Sequence, residues 1–433
     1  MLFNRIFSKL PLISLLAILS FVSWTTAQTP SPAVSVQHKV LYSFGGLDGA
    51  APEFAIIAGK AGSFYGATIL GGKYSWGTVF KLTPSGHGYK QTVLYNFTGG
   101  SDGLGPWGIV ADQDGALYGG TLGGGSSNCS FGCGTIYKLT PGKSGYTFSL
   151  LHTFVGAPDA GQVAGPLVFD AKGALYGTGQ TGGTSNLGAV FKLTPGKSGY
   201  TESVIYSFTA GGVIGAGSGI AIDSHGSLYG TAGGGTGNCS GNPCGAVFKL
   251  TPTKSGYTES TIYSFKDYTD AYNPVAPLTV DDRTGVIYGT SQYGGPKFNG
   301  TVFSLTPSGS GYTERILYDF RDIPGFSSPE ASVLLGPNGV LYSTASLRGG
   351  GCNGIGCGGV FQLTPSGSGY TYKLVYRFAL PIKGADPEHS GLISDASGAL
   401  YGATRSGGTK TDCYDGGPGG ARGCGTVFKL VIK

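Results

Sequence analysis

Along most of this chain the apolar residues come in short runs rich in Val, Ile, Tyr and Phe, parted by Gly, Pro, Ser and Asp. No stretch beyond the extreme N-terminus keeps helical apolar spacing, so the pattern predicts many short strands joined by tight turns. One run recurs: "GTVFKLTP" at 77, "GTIYKLTP" at 134, "GAVFKLTP" at 188 and 245, "GTVFSLTP" at 300, "GGVFQLTP" at 358 and "GTVFKLVI" at 425. Its central aromatics, Phe80, Tyr137, Phe191, Phe248, Phe303, Phe361 and Phe428, lie 54 to 67 residues apart, which marks one supersecondary unit copied seven times.

Each unit holds four strand candidates. The first is a short apolar run such as "GIVAD" at 108 or "PLVFD" at 166; the second is "LYGGT" at 117 or "LYGTG" at 175. A Gly-rich loop leads to the recurring phrase, and a "TP-G-SGYT" turn leads to the fourth run, "TVLYNF" at 92 or "SVIYSF" at 203. Four antiparallel strands per unit of about 55 residues is the arithmetic of a β-propeller blade. The ends decide the architecture. An orphan fourth strand, "KVLYSF" at 39–44, opens the repeat region, and an orphan third strand at 425–431 ends it. A β-helix or a string of small domains has no use for that permutation. A ring does, because the N-terminal strand completes the last blade and leaves no free sheet edge. The predicted fold is an all-β, seven-bladed propeller over residues 38–433, with alternating side chains of the third strand meeting neighbouring blades on both faces.

Composition sharpens this picture at three points. Arg5 and Lys9, the apolar run Leu10 to Trp24 and the small residues up to Ala27 read as a secretory signal (1–27) followed by a short linker (28–37), in preference to a retained anchor; no membrane span is then expected after cleavage. In an oxidising compartment the eight cysteines read as four local disulfides, Cys129/Cys133, Cys239/Cys244, Cys352/Cys357 and Cys413/Cys424, pinning Gly-rich loops; no metal is expected among them, since zinc ligand spacing is missing. The net charge of +5 is thinly spread, so no nucleic-acid partner is expected.

The phrase "GTVFKLTP-SGSGYTE-LYSF" combined with "LYGTT-x-x-GG" resembles the Gloeo/Verruco (GloVer) tandem repeat, a family of exported bacterial proteins often tethered by interchangeable C-terminal anchors. The resemblance covers essentially the whole mature chain. It implies an extracytoplasmic, repeat-built body and supplies no catalytic residues, because the family carries no settled activity. The chain departs from anchored members in finishing on a strand, which favours a released or periplasmic protein.

Chemistry is sought where the repeats differ. No nucleophile elbow, P-loop, H-E-x-x-H or dinucleotide fingerprint is present. His38, His87, His152 and His225 read as structural. The loops from each fourth strand to the next first strand carry Asp48, Asp102, Asp159, Asp267, Asp322 and Asp386, whose recurrence argues for turn-fixing hydrogen bonds, with calcium or sugar binding as the alternative. Counting back from each blade's turn glycine, the position entering the inner strand is Glu53 in blade one, Glu330 in blade six and His389 in blade seven, with Glu388 beside it. Those blades are neighbours once the ring closes. Trp107 falls one residue further in, and Trp76 lies in the other loop on that face.

Carboxylates, an imidazole and indoles at one rim suit carbohydrate, since carboxylates accept hydroxyl hydrogen bonds and indoles stack on sugar faces. The first expectation is a monomeric extracellular ligand-binding module using Trp76, Trp107, Glu53, Glu330, Asp386, Glu388 and His389, with no cofactor beyond a possible calcium. A carbohydrate-active enzyme working through Glu53, Glu330, Glu388 or His389 is the second. The third is an interaction module for an envelope or extracellular protein, with no small ligand.

Overall fold

The computed structural model describes residues 35–433 apart from 211–214, 216–217, 240, 322–326, 347–356, 411–412 and 414–422. The signal and most of the linker therefore lie outside the described residues, as do Asp322 and Cys352. Val36–Lys433 forms one compact unit.

Seven antiparallel sheets follow one another around the ring. In blade one the strands Ile57–Ala58, Phe64–Thr68, Thr78–Ser85 and Gly88–Asn96 pair in chain order. The same order recurs down to blade seven, whose first three strands are Ile393–Ser394, Leu400–Thr404 and Thr426–Ile432. Its fourth is Val36–Ser43, with Val36 opposite Ile432 and Ser43 opposite Thr426. The ring is closed by the N-terminal strand as the permutation predicts, beginning two residues before the expected boundary.

The recurring phrase is the packing strand. Val79, Phe80 and Leu82 are fully buried, as are their counterparts in the other blades. The "LYG" glycine of the second strand is there because the phrase's aromatic lies across it: a Cβ on Gly66 would sit 2.5 Å from Phe80 Cζ, and one on Gly230 2.4 Å from Phe248 Cζ. The phrase's lysine is the charged member of this strand. Lys81 lays its ammonium 5.4 Å from the Tyr65 ring centroid, and Lys138, Lys192, Lys249 and Lys429 do the same over Tyr118, Tyr176, Tyr229 and Tyr401. In four blades that tyrosine's hydroxyl donates to an aspartate of the inner hairpin, Asp112, Asp170, Asp223 or Asp395. The same carboxylates accept backbone N–H groups two and four residues on, for example from Lys172 and Ala174 to Asp170, which fixes the turn.

Blades are stitched together by one backbone bond each. The N–H groups of Ala51, Gly105, Gln162, Gly215, Asn273, Ser328 and Asp386 donate to the carbonyls of Cys424, Trp76, Cys133, Leu187, Cys244, Asn299 and Cys357 in the preceding blade. Every donor residue has a positive φ, between 52° and 64°. Four of the seven acceptor positions are cysteines. Three expected disulfides are formed, Cys129–Cys133, Cys239–Cys244 and Cys413–Cys424, so each pins a loop at the point where it holds the next blade.

Candidate functional site

The recurrent loop aspartates divide into two kinds. Asp48, Asp102 and Asp159 accept from the side chains of Tyr42, Tyr95 and His152 and from the backbone N–H of Gly45, Thr98 and Val155. In blade five this role belongs to Asp270, bonded to Tyr263 and the Lys266 N–H, and not to Asp267, which makes only a local turn with Thr269. Asp386 is outside the series as well, since it occupies the positive-φ stitching position and Lys383 stands where the other blades have the aspartate. The turn-fixing reading therefore holds for Asp48, Asp102 and Asp159 and, at a different local turn, for Asp267, while Asp386 stands at another position of the loop.

The stitching residues also give the true register of the rim. Two residues beyond them come Glu53, Trp107, Ala164, Val275, Glu330 and Glu388. Glu388, not His389, is thus the counterpart of Glu53 and Glu330, and Trp107 shares their level. Counting from the turn glycine misplaced both, because from the stitching residue to the first core residue of the inner strand blade seven (Leu392) has one residue more than blade one (Ile56) and blade two (Ile109) one fewer.

These residues do meet at the ring axis. Glu53 is 8% exposed and Glu330 3%. Arg405, from the loop after the second strand of blade seven, places Nε 3.0 Å from Glu53 and Nη1 2.7 Å from Glu388, and its backbone N–H donates to the Asp386 carbonyl. Gln292, at the equivalent position in blade five, donates to Glu330 at 2.7 Å and accepts from Asn273 at 2.6 Å. Burial, followed by the carboxylates of Glu388 and Asp386, raises the Glu330 pKa to about 7 against the opposing Gln292 hydrogen bond. His389 turns Nδ1 to the Glu330 carbonyl oxygen at 3.3 Å. One donor atom each from Glu330, Glu388 and His389 lies within 4.8 Å of the other two, a potential ligand set that the sequence reading did not foresee.

Below this polar set opens a cavity of about 290 Å³ lined by residues from all seven blades and mostly apolar, with Ile109, Pro166, Leu167 and Pro277 among its walls. Phe54, Trp107 and His389 form one edge: the Phe54 ring centroid is 4.5 Å from Trp107 and 6.0 Å from His389, nearly parallel to the latter. Trp76 does not join them. Its ring lies against Gly99 in the connection to blade two, 45% exposed and away from the cavity. Arg405 and Gln292 lie in the other loop on this face, and their signal in the sequence is a charged or amide side chain where blades one and two carry Ile69 and Leu122.

These features define a disulfide-pinned, seven-bladed β-propeller with an apolar axial cavity under a charged rim. The chain belongs to the Gloeobacter/Verrucomicrobia repeat family, whose repeat matches residues 29–243 and 236–432. No curated protein is detectably similar in sequence. Among solved structures, the extracellular domain of a one-component system protein of B. thetaiotaomicron superposes with a TM-score of 0.53 at 12% identity, covering 90% of this chain and 39% of that one. A gluconolactonase of Xanthomonas campestris superposes at 0.42 and 11% identity (92% and 90% covered), and the type-IX secretion component PorZ of Porphyromonas gingivalis at 0.49 and 16% (90% and 47%). At these identities the likeness concerns the fold alone. The disulfides and the family point to an extracytoplasmic location. No helix among the described residues is long and apolar enough to cross a membrane.

Proposed function

We propose that the protein is a secreted or periplasmic ligand-binding module that, as a monomer, takes one unit of a carbohydrate at the axial mouth. The observation that carries this reading is the junction of the Phe54–Trp107 aromatic edge with the Glu53–Arg405–Glu388 ion-pair network at the rim of the cavity. An indole offers a face for a sugar ring while paired carboxylate and guanidinium groups, already held in place by each other, exchange hydrogen bonds with its hydroxyls. The cavity is at the small end of ligand pockets, about 300–1,000 Å³, which suits one sugar unit and not an oligosaccharide laid flat.

Calorimetric titration with a panel of soluble polysaccharides tests this. Binding near one site per chain, lost in Trp107→Ala and kept in Trp76→Ala, is the expected result. Heat that continues after saturation would make the protein an enzyme on the bound carbohydrate. Silence across the panel would transfer the function to a protein partner, for which the loop tips Leu47 and Phe131, 82% and 86% exposed, are apolar contacts.

A further inference from the structure

The two glutamates nearest His389 are not required by the loop that carries them. Blades three and five build the same turn, with the same stitching bond, using Ala164 and Val275 at that level. Yet Glu330 is 3% exposed and lies within reach of Glu388, so two like charges converge where water is scarce. Arg405 answers Glu388 and Glu53, whereas the partner of Glu330 is the neutral amide of Gln292. Each of these partners engages one carboxylate oxygen, leaving a second oxygen on Glu330 and on Glu388. His389 is prepared in its own way. Its Nδ1 faces a backbone carbonyl, which can only accept, so the tautomer that satisfies this contact has its proton on Nδ1 and its lone pair on Nε2. A ring nitrogen held by a carbonyl is how protein imidazoles are oriented for metals.

We propose that Glu330, Glu388 and His389 bind one divalent transition-metal ion of the zinc class at the mouth of the axial cavity. Two oxygens and one imidazole nitrogen suit zinc or cobalt, and calcium, which takes 6–8 oxygens, fits this set poorly. Three protein ligands leave a coordination position for water or a ligand oxygen, and His389 itself lines the cavity, so that position adjoins the space where a ligand would sit. The other carboxylate–imidazole group, His152, Asp159 and Glu202, carries no such argument: His152 and Asp159 fill the places of the Tyr–Asp pairs that fix the same turn in other blades. The inference goes beyond carbohydrate binding and stands or falls separately from it.

The test uses the purified full chain freed of metal by chelation, titrated with Zn²⁺ by calorimetry and with Co²⁺ by visible absorption and tryptophan fluorescence. Expected are one ion per chain at micromolar or tighter affinity and Co²⁺ quenching that disappears in Trp107→Phe, whose ring is 6.5 Å from His389. Glu388→Gln and His389→Gln should each weaken binding by more than about 100-fold, the upper end of what outer-shell changes cost, with melting temperatures showing that each variant is folded. His152→Gln should bind as the parent does. No binding, binding that survives His389→Gln in a folded variant, or binding lost in His152→Gln overturns the proposal, whatever the polysaccharide titration gives.

Discussion

Arg405 is the residue on which the axial rim turns. It is the cation between Glu53 and Glu388, with its side chain 18% exposed. Removing one member of a largely buried ion pair leaves the other charge uncompensated, at a cost of about 3–5 kcal/mol. Arg405→Met should therefore lose about 3 kcal/mol of stability in urea unfolding, toward the low end because the pair is not fully dry. The loss should fall by more than half when Glu53→Gln and Glu388→Gln are already present; an equal loss in both backgrounds would mean that Arg405 stabilises by packing alone. The glutamates were legible in the sequence because other blades carry Trp107, Ala164 or Val275 at their level. Arg405 and Gln292 stand out only as polar residues where blades one and two carry Ile69 and Leu122, and their partners Glu53 and Glu330, one blade away, leave no trace in the local spacing. The misplacement of His389 has a similar origin: a one-residue difference in loop length is invisible until the backbone stitches set a common origin.

At the level of elements, the seams between blades show how a repeat tolerates variety. The fourth strands place His38, Gln91, Phe148, Glu202, Glu259, Glu314 and Tyr372 at one level, facing the fourth strand of the preceding blade. Where the position is aromatic it stacks, as His38 does on Tyr376, Phe148 on Tyr95 and Tyr372 on Tyr318, at 4.1 to 4.4 Å between centroids. Where it is glutamate, burial raises the carboxyl pKa, to about 7 for Glu202 with Asp159 adding to it and to about 8 for Glu314 with Asp270 adding to it. A carboxyl whose folded pKa is raised binds its proton more tightly in the native state. Its contribution is complete below the unfolded value near 4.5 and is lost as pH rises through about 8. The melting temperature should fall between pH 5 and pH 9 (roughly the span of that titration), and Glu314→Gln should flatten the fall; parallel curves would show that Glu314 is solvated. The strand count, the phrase and the turns were readable here because apolar alternation and Gly/Pro punctuation are local. The stitches were not, since the positive-φ donors are Ala, Gly, Gln, Asn, Ser and Asp, and no residue type advertises them.

For the whole molecule, closure is the property that the repeat alone does not provide. The strand Val36–Ser43 supplies the outer edge of blade seven, while Leu41 and Phe44 enter the core between blades seven and one with Phe80 and Val427. The Phe44 N–H bond to the Gly425 carbonyl extends the strand pairing within blade seven, and the Ala51 N–H bond to the Cys424 carbonyl ties blade one to it. His38 adds a pH-dependent part, its pKa pushed down to about 4 by burial and then by Lys383. A lowered histidine pKa gives stability that is present above the unfolded value near 6.5 and lost as pH falls toward 4. Acid should thus loosen the seam between the closing strand and blade six, where His38 stacks on Tyr376, while alkali weakens the glutamate seams. A chain lacking residues 1–34 should melt as the full chain does, and one lacking residues 1–43 should expose the Thr426–Ile432 strand as an unpaired edge and associate through it. Sedimentation velocity separates the two outcomes, and a peptide of residues 35–45 added in trans should return the shorter chain to monomer. If the 1–43 deletion stays monomeric and melts as the full chain does, the six complete blades hold the ring without its closing strand, and the permutation would have some other purpose.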